Sequence, residues 1–72
     1  MEAFVNEEIL NLSIRTFLKT VGVSSQREIE QAVAKAIAAA TIGGTETLAA
    51  TMTLRIAQLQ LDVRFDGEIR LQ

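Results

Sequence analysis

The chain reads VGVSSQRE from Val21 to Glu28, and this stretch combines the signals that end one helix and begin another. Gly22 suits the left-handed position that follows a helix, because glycine has no Cβ to clash there. Ser25 and Glu28 have the spacing of a capping box, in which each side chain bonds the backbone of the other residue. The stretch therefore predicts a short turn at 22–24 between two helices.

The residues before this turn predict a first helix over 7–21. Asn6 is a typical N-cap residue, and Glu7 and Glu8 follow in the first turn, where carboxylates meet the positive end of the helix dipole. Residues 1–5 are predicted to be frayed. The apolar residues of the segment share the spacing of one helical face: Leu10, Ile14, Phe17, Leu18 and Val21.

The residues after the turn predict a second helix over 26–41. The segment is rich in alanine, which favours helix, and Gly43 and Gly44 follow as a stop signal. Its apolar residues again repeat with helical spacing: Ile29, Val33, Ala36, Ile37 and Ala40.

Beyond the glycines the apolar residues alternate with polar ones, which predicts strands over 51–56, 59–64 and 68–72. A turn at 57–58 and a loop at 65–67 would join them and pair Asp62 with Arg70 and Arg64 with Glu68. The predicted fold is α+β, a two-helix hairpin packed on a three-stranded antiparallel β-meander, in one domain over 1–72. Phe65 falls in a turn in this register.

Composition limits the chemistry that the chain can perform. Of its 72 residues 49% are hydrophobic, the formal net charge is −2, and Cys and His are absent. Without these two residues the chain lacks thiolate nucleophiles, imidazole bases and the commonest ligands of zinc. The acidic N-terminal residues and the lack of a long apolar run predict a cytoplasmic chain outside the membrane. The apolar excess in so short a chain predicts a homo-oligomer or a protein partner.

The polar residues form no recognisable catalytic or ligand-binding motif. Asp62, Asp66 and Glu68 lie close in sequence, but their spacing matches no calcium loop, and ion pairs with arginine explain them. The segment 43–45 lacks the lysine and the preceding strand of a phosphate-binding loop. We therefore predict no enzyme activity, cofactor, metal or small-molecule ligand. An enzyme that uses only carboxylates and an arginine anion clamp stays as an alternative, with Arg15, Arg27 or Arg64 in that role.

Two binding hypotheses remain. The first is a protein-interaction or self-associating module that uses the alanine-rich flank of the second helix, Ala32 and Ala39, an edge strand of the sheet, or both, with Phe65 as a further contact residue. The second is a helix-turn-helix reader of DNA built on 17–25. The helix after that turn carries Glu28 and Glu30 beside its basic residues and has no positive surplus for phosphates, which disfavours nucleic acid.

A set of short segments is shared with known sequences and covers nearly all of the chain after residue 5: 11–15, 17–19, 21–23, 25–30, 46–48 and 66–69. In these segments the sequence resembles a family of small, uncharacterised bacterial proteins. The chain departs from the family at 57–58, where the family is rich in glycine. The resemblance implies a bacterial, stand-alone domain and assigns no functional residue.

Overall fold

A computed structural model of the chain describes residues 5–72. It contains one helix, α1 at Glu7–Ala38, and two strands, β1 at Thr47–Ile56 and β2 at Leu61–Arg70, with a 3-10 turn at Ala57–Leu59 between the strands. The chain divides into two compact units, Met1–Lys35 and Ala36–Gln72. The predicted fraying concerns residues 1–5, of which residues 1–4 lie outside the described part. The prediction of one domain stays a prediction.

Helix α1 begins where the sequence predicts. The side-chain Oδ1 of Asn6 accepts hydrogen bonds from the backbone N–H of Glu8 at 3.0 Å and from that of Ile9 at 3.2 Å. These bonds satisfy two of the N–H groups that the first turn of a helix leaves without partners. Glu7 and Glu8 occupy the first turn. The N-cap prediction is confirmed.

The predicted turn at 22–24 does not exist, and the prediction of two helices over 7–21 and 26–41 is wrong. Helix α1 runs through this segment without a break, and the only glycine with a positive φ in the described residues is Gly44. A glycine inside a helix costs only about 1 kcal/mol relative to alanine, and a long run of helix-forming residues outweighs that. The capping box at 25–28 is likewise a local signal, and here it lies within the helix.

The C-terminus of α1 forms a Schellman motif in which a residue after the helix takes a left-handed conformation. The backbone N–H of Thr41 donates to the carbonyl of Ala36 at 2.9 Å, and that of Ala40 donates to the carbonyl of Ile37 at 3.0 Å. Ala40 holds the left-handed position, with φ of 59°. The helix thus ends before the predicted stop at Gly43.

Replacing Ala40 with glycine is expected to stabilise the end of α1 by about 0.5–1 kcal/mol, because glycine adopts positive φ without a Cβ clash. Urea unfolding followed by circular dichroism at 222 nm measures the change. Ala38→Gly is the matched control, because Ala38 is the last residue of α1 and glycine there should destabilise the helix. A lower unfolding midpoint for Ala40→Gly would contradict the motif.

The strands form a two-stranded antiparallel hairpin, so the predicted three-stranded meander is wrong. Met52 lies opposite Phe65, Leu54 opposite Val63 and Ile56 opposite Leu61. The predicted turn at 57–58 would set Leu54 against Leu61 instead. This is a shift of two residues, which leaves every side chain on its predicted face because the strand period is two.

The predicted loop at 65–67 is part of β2, and Gly67 lies in the strand opposite Ala50. The predicted pairs of Asp62 with Arg70 and of Arg64 with Glu68 depend on that loop and are also wrong. Asp62 lies opposite Arg55 in β1. The alternation of apolar and polar residues runs from Leu61 through Gly67 to Ile69 without a change of phase, and this continuity is the signal for a single strand.

A longer connection replaces the predicted two-residue turn. After the 3-10 turn at Ala57–Leu59, Gln60 takes a left-handed conformation with φ of 53°. The backbone N–H of Gln60 donates to the carbonyl of Ala57 at 3.0 Å. The two additional residues account for the shift in register.

Candidate functional site

The hairpin presents one apolar face. Alternate residues of β1 and β2 point to this face, and the register sets apolar residues opposite one another along most of its length. Met52 and Phe65 form a central pair whose side chains are 46% and 55% exposed. We call this surface the hairpin face; its residues are Leu48, Ala50, Met52, Leu54, Ile56, Leu61, Val63, Phe65, Gly67 and Ile69.

The other face of the hairpin carries polar side chains that bond one another. Arg55 and Asp62 form an ion pair across the strands, with Nη2 and Oδ2 at 3.2 Å. Asp66 accepts a hydrogen bond from the hydroxyl of Thr51 at 3.1 Å and pairs with Nε of Arg64 at 3.3 Å. These exposed groups are thus engaged with each other, and such pairs contribute about 0.2–1 kcal/mol each.

These contacts bear on the carboxylates and arginines singled out from the sequence. Within residues 5–72 no three acidic side chains lie close enough together to hold a metal ion. Asp66 pairs with Arg64, one of the three arginines named for the clamp alternative. Arg15 and Arg27 both lie on helix α1, about 18 Å apart along its axis, which is too far to share a small anion.

Helix α1 leaves most of its large apolar side chains in contact with solvent. Ile14 is 45% exposed, Phe17 53%, Leu18 54% and Ile29 37%. In a continuous helix the residues at 14, 18, 25, 29 and 33 share one side, since each lies four or seven positions from its neighbours in the set. The first unit therefore carries an apolar band of its own.

The three residues predicted as an interaction surface lie in different elements. Ala32 is an exposed residue of α1 in the first unit. Ala39 follows the end of α1 and Phe65 lies in β2, both in the second unit. The placement of Phe65 in a turn is wrong, because it lies on the hairpin face. Its contact role stays a prediction, and its cross-strand partner is Met52.

The loop between α1 and β1 folds around the carboxylate of Glu46. Oε2 of Glu46 accepts a hydrogen bond from the backbone N–H of Gly43 at 2.7 Å, and Oε1 accepts from Gly44 at 2.9 Å and Thr45 at 3.1 Å. Consecutive N–H groups of this kind form an anion-binding nest, and here the chain fills it with its own side chain. The segment 43–45 is therefore a structured loop held by a side chain of the same chain.

The hydrogen bond from the N–H of Gly43, with others from Glu46 itself, Gly44 and Thr45, holds the pKa of the Glu46 carboxyl below its ordinary value. A depressed pKa means that the loop is stabilised above the unfolded-state pKa and loses that stabilisation as the pH falls through the folded-state pKa. We expect NMR titration to show this lowered pKa, and Glu46→Gln to reduce the pH dependence of unfolding in the acid range. An ordinary glutamate pKa would contradict the loop geometry.

A shallow depression of about 300 Å³ lies on α1 beside Lys19, Thr20, Val23 and Ser24. Lys19 is the one charged residue that lines it. General acid–base catalysis requires a positioned group near the reacting atoms, and a single exposed lysine beside two hydroxyls offers no paired acid and base. The depression therefore supports no particular reaction.

Within residues 5–72 the structure defines a small α+β chain, a long helix followed by a β-hairpin, with apolar side chains exposed on both elements. The chain belongs to the DUF6494 family, a family of unknown function, whose sequence profile matches residues 5–72. This confirms the resemblance to an uncharacterised family, while bacterial origin stays a prediction. Neither the comparison with curated proteins nor that with solved structures finds a match. No helix of the described residues has the length and apolar content needed to cross a membrane.

Proposed function

We propose that this chain is a protein-interaction module whose apolar surfaces are covered by another protein chain. One observation carries the proposal. Within residues 5–72 no side chain is buried, whereas fifteen large hydrophobic residues are well exposed. Contiguous exposed apolar surface on a small protein marks a contact surface, because water contact costs roughly 25 cal/mol for each Å² that could be buried.

The stability expected of the separate elements also supports a partner. A two-stranded hairpin is marginally stable in water unless a further strand or another element covers its apolar face. A helix gains most of its stability in proteins from packing its apolar face rather than from intrinsic propensity. Both elements therefore gain stability when their apolar residues are covered.

The described residues do not contain the helix-turn-helix motif that the DNA-binding hypothesis requires. The motif requires two helices joined at 17–25 by a turn, so that the second helix enters the major groove. Residues 17–25 are instead part of the continuous helix α1. Net charge also disfavours phosphate binding, since the chain carries seven basic and nine acidic residues.

The size of the complex in cell extract tests the proposal. A tagged chain, expressed in cells that naturally encode it, is expected to elute from a sizing column well above its own mass of 7.9 kDa. Phe65→Asp places a charge on the hairpin face and is expected to shift the chain toward its own mass. Thr53→Asp, on the polar face opposite Arg64, is the matched control and should leave elution unchanged.

Circular dichroism of the purified variants shows whether the hairpin still folds. Met52→Asp provides a second variant on the hairpin face if Phe65→Asp fails to fold. Elution of the wild-type chain at its own mass would contradict the proposed function. If the folded hairpin-face variants eluted like the wild-type chain, the hairpin face would not be part of the proposed contact surface.

A further inference from the structure

We propose that the partner of α1 is the α1 helix of a second copy of this chain, packed antiparallel and crossing near Gly22. This inference rests on the proposed function and names the partner for one of its surfaces. It uses only the helical part of the first unit, from Ile14 to Val33.

Two rows of residues on α1 carry the contact. The first row is Ile14, Leu18 and Gly22, and the second is Ser25, Ile29 and Val33. Each row has a spacing of four residues, so its members lie above one another on the helix. In the structure Ile14 and Leu18 are 45% and 54% exposed, and Ile29 is 37% exposed.

An antiparallel pair sets each row against the other row. When the two-fold axis passes between residues 23 and 24, Gly22 lies beside Ser25 of the second copy and Leu18 beside its Ile29. Ile14 then lies beside Val33 of the second copy. Each large residue meets an apolar residue, and the small residues meet at the centre. Helix axes that cross at about 20°, the geometry of left-handed helix pairs, keep both rows in contact from Ile14 to Val33, and Gly22 lies near the crossing point.

Gly22 has no role that the single chain explains. It lies within the helix without a positive φ, and a Cβ added to it would meet no atom within 4 Å. At this position glycine destabilises the helix by about 1 kcal/mol relative to alanine. A second helix that approaches closely at the crossing point requires a residue without a side chain, and Gly22 meets that requirement.

Charge complementarity selects the antiparallel direction. Arg15 lies about 60° around the helix from the middle of the first row, and Glu30 about 100° from the middle of the second, both to the same side. The antiparallel arrangement brings Arg15 of each copy near Glu30 of the other. In a parallel pair these two charges lie roughly 22 Å apart along the axis and cannot meet.

Cysteine cross-linking tests the contact directly, because the chain contains no cysteine of its own. The purified double variant Leu18→Cys with Ile29→Cys is expected to form a covalent dimer under mild oxidation, visible on a non-reducing gel. The two cysteines of one chain lie roughly 16 Å apart on the helix and cannot bridge each other, since a disulfide requires Cα atoms within about 7 Å.

Two controls test whether the helices pair in the antiparallel direction and which side of α1 is in contact. Leu18→Cys alone should give little covalent dimer, whereas a parallel pair would cross-link it efficiently. Thr20→Cys with Arg27→Cys has the same sum of residue numbers but lies about half a turn around the helix, so it should not cross-link. Efficient cross-linking of either control, or none of the Leu18 and Ile29 pair, overturns the proposal.

Sedimentation equilibrium of the purified cysteine-free chain provides the second measurement. We expect a two-chain particle, and Gly22→Leu should raise the dissociation constant at least tenfold because its side chain blocks the close approach. Thr20→Leu, on the far side of α1, should change it by less than about threefold. Leucine favours helix more than glycine does, so lower helicity cannot explain the loss in Gly22→Leu.

The contact between Arg15 and Glu30 can be tested by single charge reversals and by the double reversal that restores it. Arg15→Glu and Glu30→Arg should each weaken the dimer about tenfold, because each breaks two symmetric ion pairs, and the double swap should restore it. A purified chain that stays monomeric while the extract contains a large complex overturns the helix pairing and leaves the proposed function standing. If the chain is a monomer in the purified sample and in the extract, the helix pairing and the proposed function are both overturned.

Discussion

Replacing Val23 with proline is expected to lower the free energy of unfolding by about 3 kcal/mol or more. Val23 lies within the continuous helix α1. A proline there removes the hydrogen bond from residue 23 to the carbonyl of Lys19, and its ring clashes with that carbonyl. In a turn between two helices the same substitution would be tolerated. Helix content by circular dichroism and the midpoint of urea unfolding, at matched chain concentration, measure the effect.

Val23→Ala is the matched control for this substitution. Alanine has a higher helix propensity than valine and should leave the unfolding midpoint equal or raise it. If Val23→Pro unfolded at the wild-type midpoint with unchanged helix content, α1 would have to be interrupted at this point.

Replacing Gly67 with valine is expected to stabilise the hairpin by about 1 kcal/mol. Gly67 lies in β2 opposite Ala50, without a positive φ, and a Cβ added to it would meet no atom within 4 Å. A β-branched residue therefore fits the strand, adds cross-strand contact and reduces the freedom of the unfolded chain. Thermal unfolding, followed by circular dichroism in the far ultraviolet, measures the change.

Gly44→Val is the control of opposite sign. Gly44 has φ of 104°, a conformation that a β-branched residue adopts only under strain, so this variant should be less stable than the wild type. If Gly67→Val also lost stability to a similar extent, Gly67 would occupy a left-handed turn rather than a strand.

In the hairpin, the alternation of apolar and polar residues predicts the face of each side chain but not its cross-strand partner. Leu54 and Val63 were assigned to the correct face, because the period of two decides the face whatever the partner strand. Their partners were wrong, because a shift of two residues preserves the faces, and the length of the connection at 57–60 decides between such registers. The aspartate–glycine pair at 66–67 resembles a turn, yet the alternation continues through it.

The candidate contact residues also show what a sequence pattern predicts and what it leaves open. The sequence predicts Phe65 as a contact residue because of its supposed place in a turn, whereas the structure places it on the hairpin face, and its contact role stays a prediction. Sequence patterns identify which side of an element is apolar. They do not show how exposed each side chain on that side is, and in residues 5–72 Met52 and Phe65 are about half exposed.

Three features of the chain follow from its residues alone: the helix start at Asn6, the change from helical to strand period after the glycines at 43–44, and the two faces of the strands. They depend on side-chain chemistry and on periods that act over neighbouring residues. The structure was needed to show that 22–24 is helix, that 65–67 is strand, and which residues of the hairpin pair. Local stop signals such as Gly22 or the capping box at 25–28 are each worth about 1 kcal/mol, so the balance over the whole element decides whether they act.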